Sequence, residues 1–91
     1  MEALIYTNQS LKNQLNHRQM ALIMHALKHP DTQYEIERHR QAHNITYQTA
    51  RTDLLHLAEL DLLMKQKRGK AFVFTVPGDL SARIEGESQP Q

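Results

Sequence analysis

Four cationic side chains lie within residues 65–70: Lys65, Lys67, Arg68 and Lys70. Cations at this density attract the phosphate oxygens of a polyanion such as a nucleic acid. Lys65 and Lys67 are two residues apart, so an extended chain places both side chains on one face. The alternative is a solvated turn, since exposed turns are commonly polar whether or not they bind anything.

A second group of polar side chains precedes this cluster and suits the reading of base edges. Gln can form two hydrogen bonds with adenine, and Arg can do the same with guanine. Hydroxyl groups suit phosphate oxygens, which fix the position of a protein on a duplex. Asp53 and Asp61 lie in the same stretch and oppose such binding, because carboxylates repel phosphate. The candidate contact residues of this group are Thr46, Tyr47, Gln48, Arg51 and Thr52.

The six histidines include two pairs whose spacing can chelate a transition metal. His25 and His29 are four residues apart, as are His39 and His43, so each pair shares a helix face. A zinc site needs further ligands, and the chain has neither Cys nor a His-Glu-x-x-His pattern. We therefore expect structural histidines, with no metal and no cofactor.

No side chains form a recognisable set of nucleophile, base and orienting group. The serines lie in polar stretches, and the three glycines do not form a phosphate-binding loop. The chain is therefore predicted not to be an enzyme.

Length and composition limit the chain to one small domain. It has 91 residues, no Cys and a net charge of +1, so it lacks a disulfide framework. The charge is divided unevenly: residues 38–70 hold seven Lys or Arg and three Asp or Glu, a net of +4, and the remainder is −3. No membrane span or signal peptide is visible, so we expect a cytoplasmic protein without membrane contact.

Hydrophobic spacing predicts the helices that position these side chains. Residues 1–14 are predicted to form a linker helix. Asn16 and Gln19 have capping-box spacing and begin the next helix, which ends before Pro30. The buried face of that helix is expected to consist of Met20, Ile23, Met24 and Leu27.

A tight turn is predicted between two further helices. The first helix is expected over residues 34–43, after Thr32 and Glu35 at capping-box spacing, and Asn44 suits the left-handed conformation of the turn. The second, capped by Thr46, is expected over residues 47–60, and its part at 46–57 carries the candidate base contacts. Its predicted buried residues are Ala50, Leu54 and Leu57. Asp61 is expected just beyond its C-terminus.

The chain is then predicted to form a β-hairpin. Residues 62–67 and 71–76 are the predicted strands, and Gly69 supplies the turn between them. Residues 78–91 are polar and predicted to be a disordered tail, so the domain is expected over 15–77. This order predicts a mainly α fold with a small β-hairpin, a winged helix-turn-helix.

Several segments of the chain resemble one bacterial family. They are residues 15–19, 25–30, 47–55, 57–60 and 67–74. Together they resemble the C-terminal winged-helix domain of bacterial Fic (filamentation induced by cAMP) family proteins. The family's catalytic domain transfers AMP from ATP to a hydroxyl of a target protein through a His-x-Phe-x-(Asp/Glu)-Gly-Asn-(Gly/Lys)-Arg loop. That loop is absent here, so the resemblance implies a non-catalytic module of an AMP transferase and carries over no catalytic residue.

Two functions fit these features. In the first, a DNA-binding or regulatory module reads double-stranded DNA with the helix at 46–57 and the wing at 65–70. In the second, the module docks on the Fic catalytic domain or forms a homodimer. The apolar seam for that contact would consist of Leu4, Leu11 and Leu15.

Overall fold

The computed structural model describes residues 13–86, with side chains through Ile84. The three strands form one antiparallel sheet, in which the strand Ala71–Thr75 lies between Gln33–Tyr34 and Met64–Arg68. A helix-turn-helix followed by a β-hairpin confirms the predicted winged-helix fold. The elements are α1 His17–Lys28, β1 Gln33–Tyr34, α2 Ile36–His43, α3 Tyr47–Glu59, β2 Met64–Arg68, β3 Ala71–Thr75 and α4 Leu80–Gly86.

The predicted capping box begins α1. Asn16 Oδ1 accepts a hydrogen bond from Gln19 N at 2.8 Å, and Asn16 N donates to Gln19 Oε1 at 2.9 Å. These reciprocal bonds satisfy two backbone donors that a helix start would otherwise leave unpaired. The helix ends at Lys28, ahead of Pro30, as predicted.

The buried stripe of α1 is displaced by one residue from the predicted one. Its buried members are Gln19, Leu22, Ile23 and Ala26, of which the prediction contained only Ile23. The other predicted members, Met20, Met24 and Leu27, are only partly buried. A polar residue opens the true stripe: Gln19 donates through Nε2 to the carbonyl oxygen of Asp53 at 3.0 Å. Because its amide is satisfied internally, Gln19 occupies a place that a hydrophobic pattern assigns to solvent.

The start of α2 differs from the prediction. Gln33 and Tyr34 form a short strand paired with Thr75 and Phe74 of β3, so the helix begins at Ile36 instead of residue 34. The predicted capping box at Thr32 is wrong, because no side chain caps this helix. Pairing with β3 satisfies the backbone groups that a longer helix would have used.

The predicted disordered tail is wrong for residues 80–86, which form α4. Leu80 and Ile84 are 3% and 0% exposed and belong to the hydrophobic core. Arg83 joins the helix to the segment after α3, since its Nη1 donates to the carbonyl oxygen of Asp61 at 2.8 Å. The folded unit therefore extends beyond residue 77, while residues 87–91 lie outside the described residues.

The core also takes in Leu15, which is 8% exposed. It is therefore not available for the predicted apolar seam, and Leu4 and Leu11 lie outside the described residues. Residues 1–12 of the predicted linker helix also lie outside them, while residues 13–14 are helical. The largest fully buried side chains join α1, α3, β3 and α4 around one centre: Ile23, Leu54, Leu57, Leu62, Leu63, Phe74 and Ile84.

Candidate nucleic-acid interface

The turn between α2 and α3 sets the direction of the candidate recognition helix. Asn44 has φ 51° and ψ 50°, the predicted left-handed conformation. Ile45 N donates to the carbonyl oxygen of Arg40 at 3.1 Å, which closes the end of α2. Asn tolerates positive φ better than most residues, because its side chain can bond locally. Asn44 and Ile45 thus turn the chain from α2 toward α3.

Thr46 caps α3 as predicted. Its Oγ1 accepts from Thr49 N at 3.2 Å and lies 3.0 Å from Thr49 Oγ1, to which it donates. Thr52 Oγ1 likewise donates to the carbonyl oxygen of Gln48 at 2.9 Å. Both threonine hydroxyl protons are thus used within the helix, and either side chain would have to rotate before it could donate to a phosphate.

One face of α3 is fixed in the core and the opposite face is exposed. Ala50, Leu54 and Leu57 are each 0% exposed, as the periodicity predicted. Thr46 at the cap is exposed. So are the four predicted contact residues within the helix, Tyr47, Gln48, Arg51 and Thr52. Arg51 and the Gln48 side chain make no hydrogen bond with residues 13–84, so their polar groups face solvent.

Asp53 does not oppose phosphate from the helix surface, contrary to the prediction. It is 3% exposed and faces α1 and α2. Its carboxylate accepts from Arg18 Nε at 2.7 Å, Asn16 Nδ2 at 2.9 Å and His39 Nε2 at 2.9 Å. A buried ionised carboxylate only accepts, so His39 Nε2 is the donor in this contact.

Burial alone would raise the pKa of Asp53, yet the hydrogen bonds from Arg18, Asn16 and His39 outweigh it. The pKa of this carboxyl therefore lies below its ordinary value. Its charge is neutralised inside the fold by the neighbouring guanidinium. The network ties α3 to both α1 and α2, so the exposed face of α3 is held on a rigid support.

The wing is a hairpin in which Arg68 pairs with Ala71 across a two-residue turn. Gly69 has φ 62° at the first turn position, where most side chains would be strained. The second strand matches the prediction closely, but β2 begins at Met64 instead of residue 62. Leu62 and Leu63 turn into the core before the strand starts, at 0% and 2% exposed.

The four wing cations have different surroundings. Lys65 Nζ lies 4.7 Å from the centre of the Phe72 ring, an attractive cation–π contact. Arg68 Nη1 donates to Gln33 Oε1 at 3.1 Å, which ties the wing to β1. Lys67 and Lys70 are exposed and have no polar partner among the described residues. The wing therefore presents two anchored and two unconstrained cations.

Phe72 is a residue of this surface that the sequence analysis missed. Its ring is 41% exposed and supports the Lys65 ammonium. The contact depends on the strand register, which sets Lys67 opposite Phe72 and Lys65 opposite the neighbouring Phe74. The sequence predicted the two strands but not this register. Because α3 also packs against β2, the predicted contact residues of the helix and the wing belong to neighbouring elements.

The histidine pairs pack as rings, and no three metal-ligating side chains meet within residues 13–84. The ring centres of His25 and His29 are 4.6 Å apart, and those of His39 and His43 are 4.8 Å apart. His25 Nδ1 lies 2.7 Å from the hydroxyl of Tyr34. Each pair therefore has neighbours within the fold.

Over the described part of the chain, no helix is both long and apolar enough to cross a bilayer.

Together the turn, α3 and the hairpin place the chain in the winged helix-turn-helix class. One similar solved structure is described as a possible transcriptional regulator from Methanosarcina mazei Go1. It matches with a TM-score of 0.66 and 11% identity over 94% of this chain and 77% of that chain. Neither the known protein families nor the curated proteins provide a match to the sequence. At this identity the similarity shows the fold.

Proposed function

We propose that this chain is a non-catalytic module that binds double-stranded DNA, with α3 in the major groove and the wing on the adjacent backbone. One observation carries the proposal. The polar ends of Gln48 and Arg51 face solvent on a helix whose other face is fixed in the core. The description of the structural neighbour as a possible transcriptional regulator agrees with it.

In this arrangement the two halves of the surface have different tasks. Arg51 can bond both O6 and N7 of a guanine, and Gln48 can bond an adenine in the same way. Lys67 and Lys70 can bond phosphates, which adds affinity without adding sequence preference. Tyr47, at 52% exposure, has a hydroxyl available to a phosphate at the start of α3.

Selection from a random duplex library, followed by anisotropy titration of the selected duplex and a scrambled one, tests this proposal. Arg51→Lys keeps the charge but loses the two-point contact. We expect it to reduce the preference for the selected duplex by about 5- to 150-fold, equivalent to about 1–3 kcal/mol. Lys67→Ala should weaken binding to both duplexes by the same factor. Equal losses of preference in the two variants would contradict the assignment of roles.

The finer proposal is that this module belongs to a Fic-type protein adenylyltransferase and contacts its catalytic domain. It rests on the resemblance over residues 15–74 alone. The genomic reading frame upstream of Met1 tests it directly. A frame encoding the catalytic loop would support it, and an upstream stop codon close to Met1 would overturn it.

A second candidate function is a protein interface at the same surface. The most exposed large hydrophobic residues among those described are Tyr47, Met64 and Phe72, all on α3 or the wing. Apolar side chains at a polar surface are typical of protein contacts. Light scattering of the chain and of Phe72→Ser distinguishes the two functions. A dimer lost in the variant, without duplex binding in either protein, would favour the interface.

A further inference from the structure

An open cleft of about 320 Å³ lies between α1, β1 and α2. Its volume falls in the range of small-molecule sites. Part of its wall is non-polar and comes from Ala21, Leu22 and Ala42. The cleft contains none of the residues assigned above to DNA contact, so it is a separate feature of the molecule.

Two polar features of the wall are suited to a ligand. The hydroxyl of Tyr34 is held 2.7 Å from His25 Nδ1, and burial raises the pKa of Tyr34 to about 12, so the phenol is neutral near pH 7. Arg38 is exposed at the cleft and makes no hydrogen bond or ion pair with residues 13–84. Its guanidinium is therefore available to an incoming group.

The charged side chains that line the cleft limit the chemical class of the ligand. A guanidinium fits a carboxylate through two parallel hydrogen bonds. Glu35 also lines the cleft, and its carboxylate disfavours a dianion such as a phosphate monoester. The non-polar wall requires a body that loses little by leaving water. A monocarboxylate with a compact non-polar body meets all three conditions.

The cleft is connected to both elements of the candidate DNA surface. His39, a wall residue, bonds through Nε2 to Asp53 of α3 at 2.9 Å. Gln33, another wall residue, accepts from Arg68 of the wing at 3.1 Å. A molecule that shifts either wall residue therefore acts on the support of α3 or of the wing.

We propose that this cleft binds a small organic monocarboxylate with a non-polar body, and that its occupancy changes the affinity of the α3 and wing surface for DNA. The first half is independent of the proposed function, and the second half rests on it.

The site is tested on the full ¹⁵N-labelled chain by NMR titration with benzoate, and in parallel with benzamide. For a probe of this size we expect a Kd of about 1 mM, with amide shifts concentrated at Ala21, Leu22 and Ala42. Benzamide and the variant Arg38→Gln should each weaken binding about tenfold. Arg51→Gln is the matched control and should bind benzoate like the parent chain. Absence of saturable shifts, or equal affinity for benzoate and benzamide, would overturn the site.

The regulatory half is tested by duplex titration with saturating benzoate against chloride at equal ionic strength. We expect the duplex Kd to change at least about threefold in the parent chain and to change clearly less in Arg38→Gln at the same benzoate concentration. Benzoate binding with an unchanged duplex Kd would overturn the coupling. Absence of duplex binding in both salts would refute the proposed function and with it the coupling, while the NMR titration would still decide whether the site exists.

Discussion

Replacing Asp53 with Ala should destabilise the fold far more than removing an exposed carboxylate from the same helix. The Asp53 carboxylate accepts hydrogen bonds from Asn16 at 2.9 Å, from Arg18 at 2.7 and 3.2 Å and from His39 at 2.9 Å. Without it, the Nε2–H of His39, a residue that is 7% exposed, has no acceptor. The start of α1 and α2, which support α3, would lose their common contact.

The size of the effect follows from this burial. Removing one partner of a buried ion pair costs about 3–5 kcal/mol. The Arg18 side chain is 29% exposed, so water can replace part of its contact, and we expect the lower end, about 3 kcal/mol. The total free energy of unfolding of such a domain is about 4–11 kcal/mol. Asp53→Asn keeps the shape and one acceptor oxygen, so its loss should be about half as large.

Urea unfolding followed by far-UV circular dichroism measures the difference. With a slope of about 1 kcal/mol/M, the midpoint of Asp53→Ala should fall by about 3 M. Glu59→Ala is the control, since that side chain is 78% exposed, and it should stay within about 0.5 kcal/mol of the parent. If Asp53→Ala does not fold, Asp53→Asn should still show an intermediate loss. Equal midpoints for the Asp53 and Glu59 variants would refute the reasoning.

The same carboxylate makes the free energy of unfolding fall at acid pH, and this decline is called the acid limb below. Because the pKa of Asp53 is lowered in the folded state, its contribution is complete above the ordinary pKa of about 4. It is lost as the pH falls through the lower, folded value. In Asp53→Asn this part of the acid limb should disappear, and a steep acid limb of unchanged size in the variant would contradict the assignment.

Three further predictions concern separate parts of the fold. Burial, then His39 and Arg18, lower the pKa of His43, so the free energy of unfolding should fall as the pH drops below about 6.5. Urea midpoints should show a smaller decline for His43→Gln, and an equal decline would contradict the shift. Asn44→Ala should lose about 1 kcal/mol and Asn44→Gly should lose nothing, because the site has φ 51°; the reverse order of Tm would exclude this cause. Ile84→Ala should lose about 2–4 kcal/mol, since Ile84 is 0% exposed, and an unchanged urea midpoint would show that α4 does not support the core.

The sequence predicted the parts of the fold that depend on local chemistry. The capping box at Asn16, the cap at Thr46 and the left-handed turn at Asn44 each require particular residue types, and the structure confirms all three. The buried face of α3 was also predictable, because Ala50, Leu54 and Leu57 are apolar at helical spacing. These features outline the helix-turn-helix before any tertiary contact is known.

The remaining features depend on contacts between distant residues. Asp53 and Gln19 are buried because Arg18, His39 and Asn16 satisfy them, whereas a hydrophobic pattern assigns polar side chains to solvent. α4 carries few apolar residues, and Leu80 and Ile84 matter only because the core receives them. The separate surroundings of the wing lysines likewise follow from the strand register, which joins residues far apart in sequence.

The most direct test of the account is the salt dependence of binding to a labelled duplex. Three or four phosphate contacts predict that log K falls against log salt with a slope of about −3. In the double variant Lys67→Ala and Lys70→Ala the slope should become about −1, because each contact contributes about 0.9. Lys28→Ala, an exposed lysine of α1, should keep the parent slope. Absence of binding at low ionic strength, or an unchanged slope in the double variant, would contradict DNA binding by α3 and the wing.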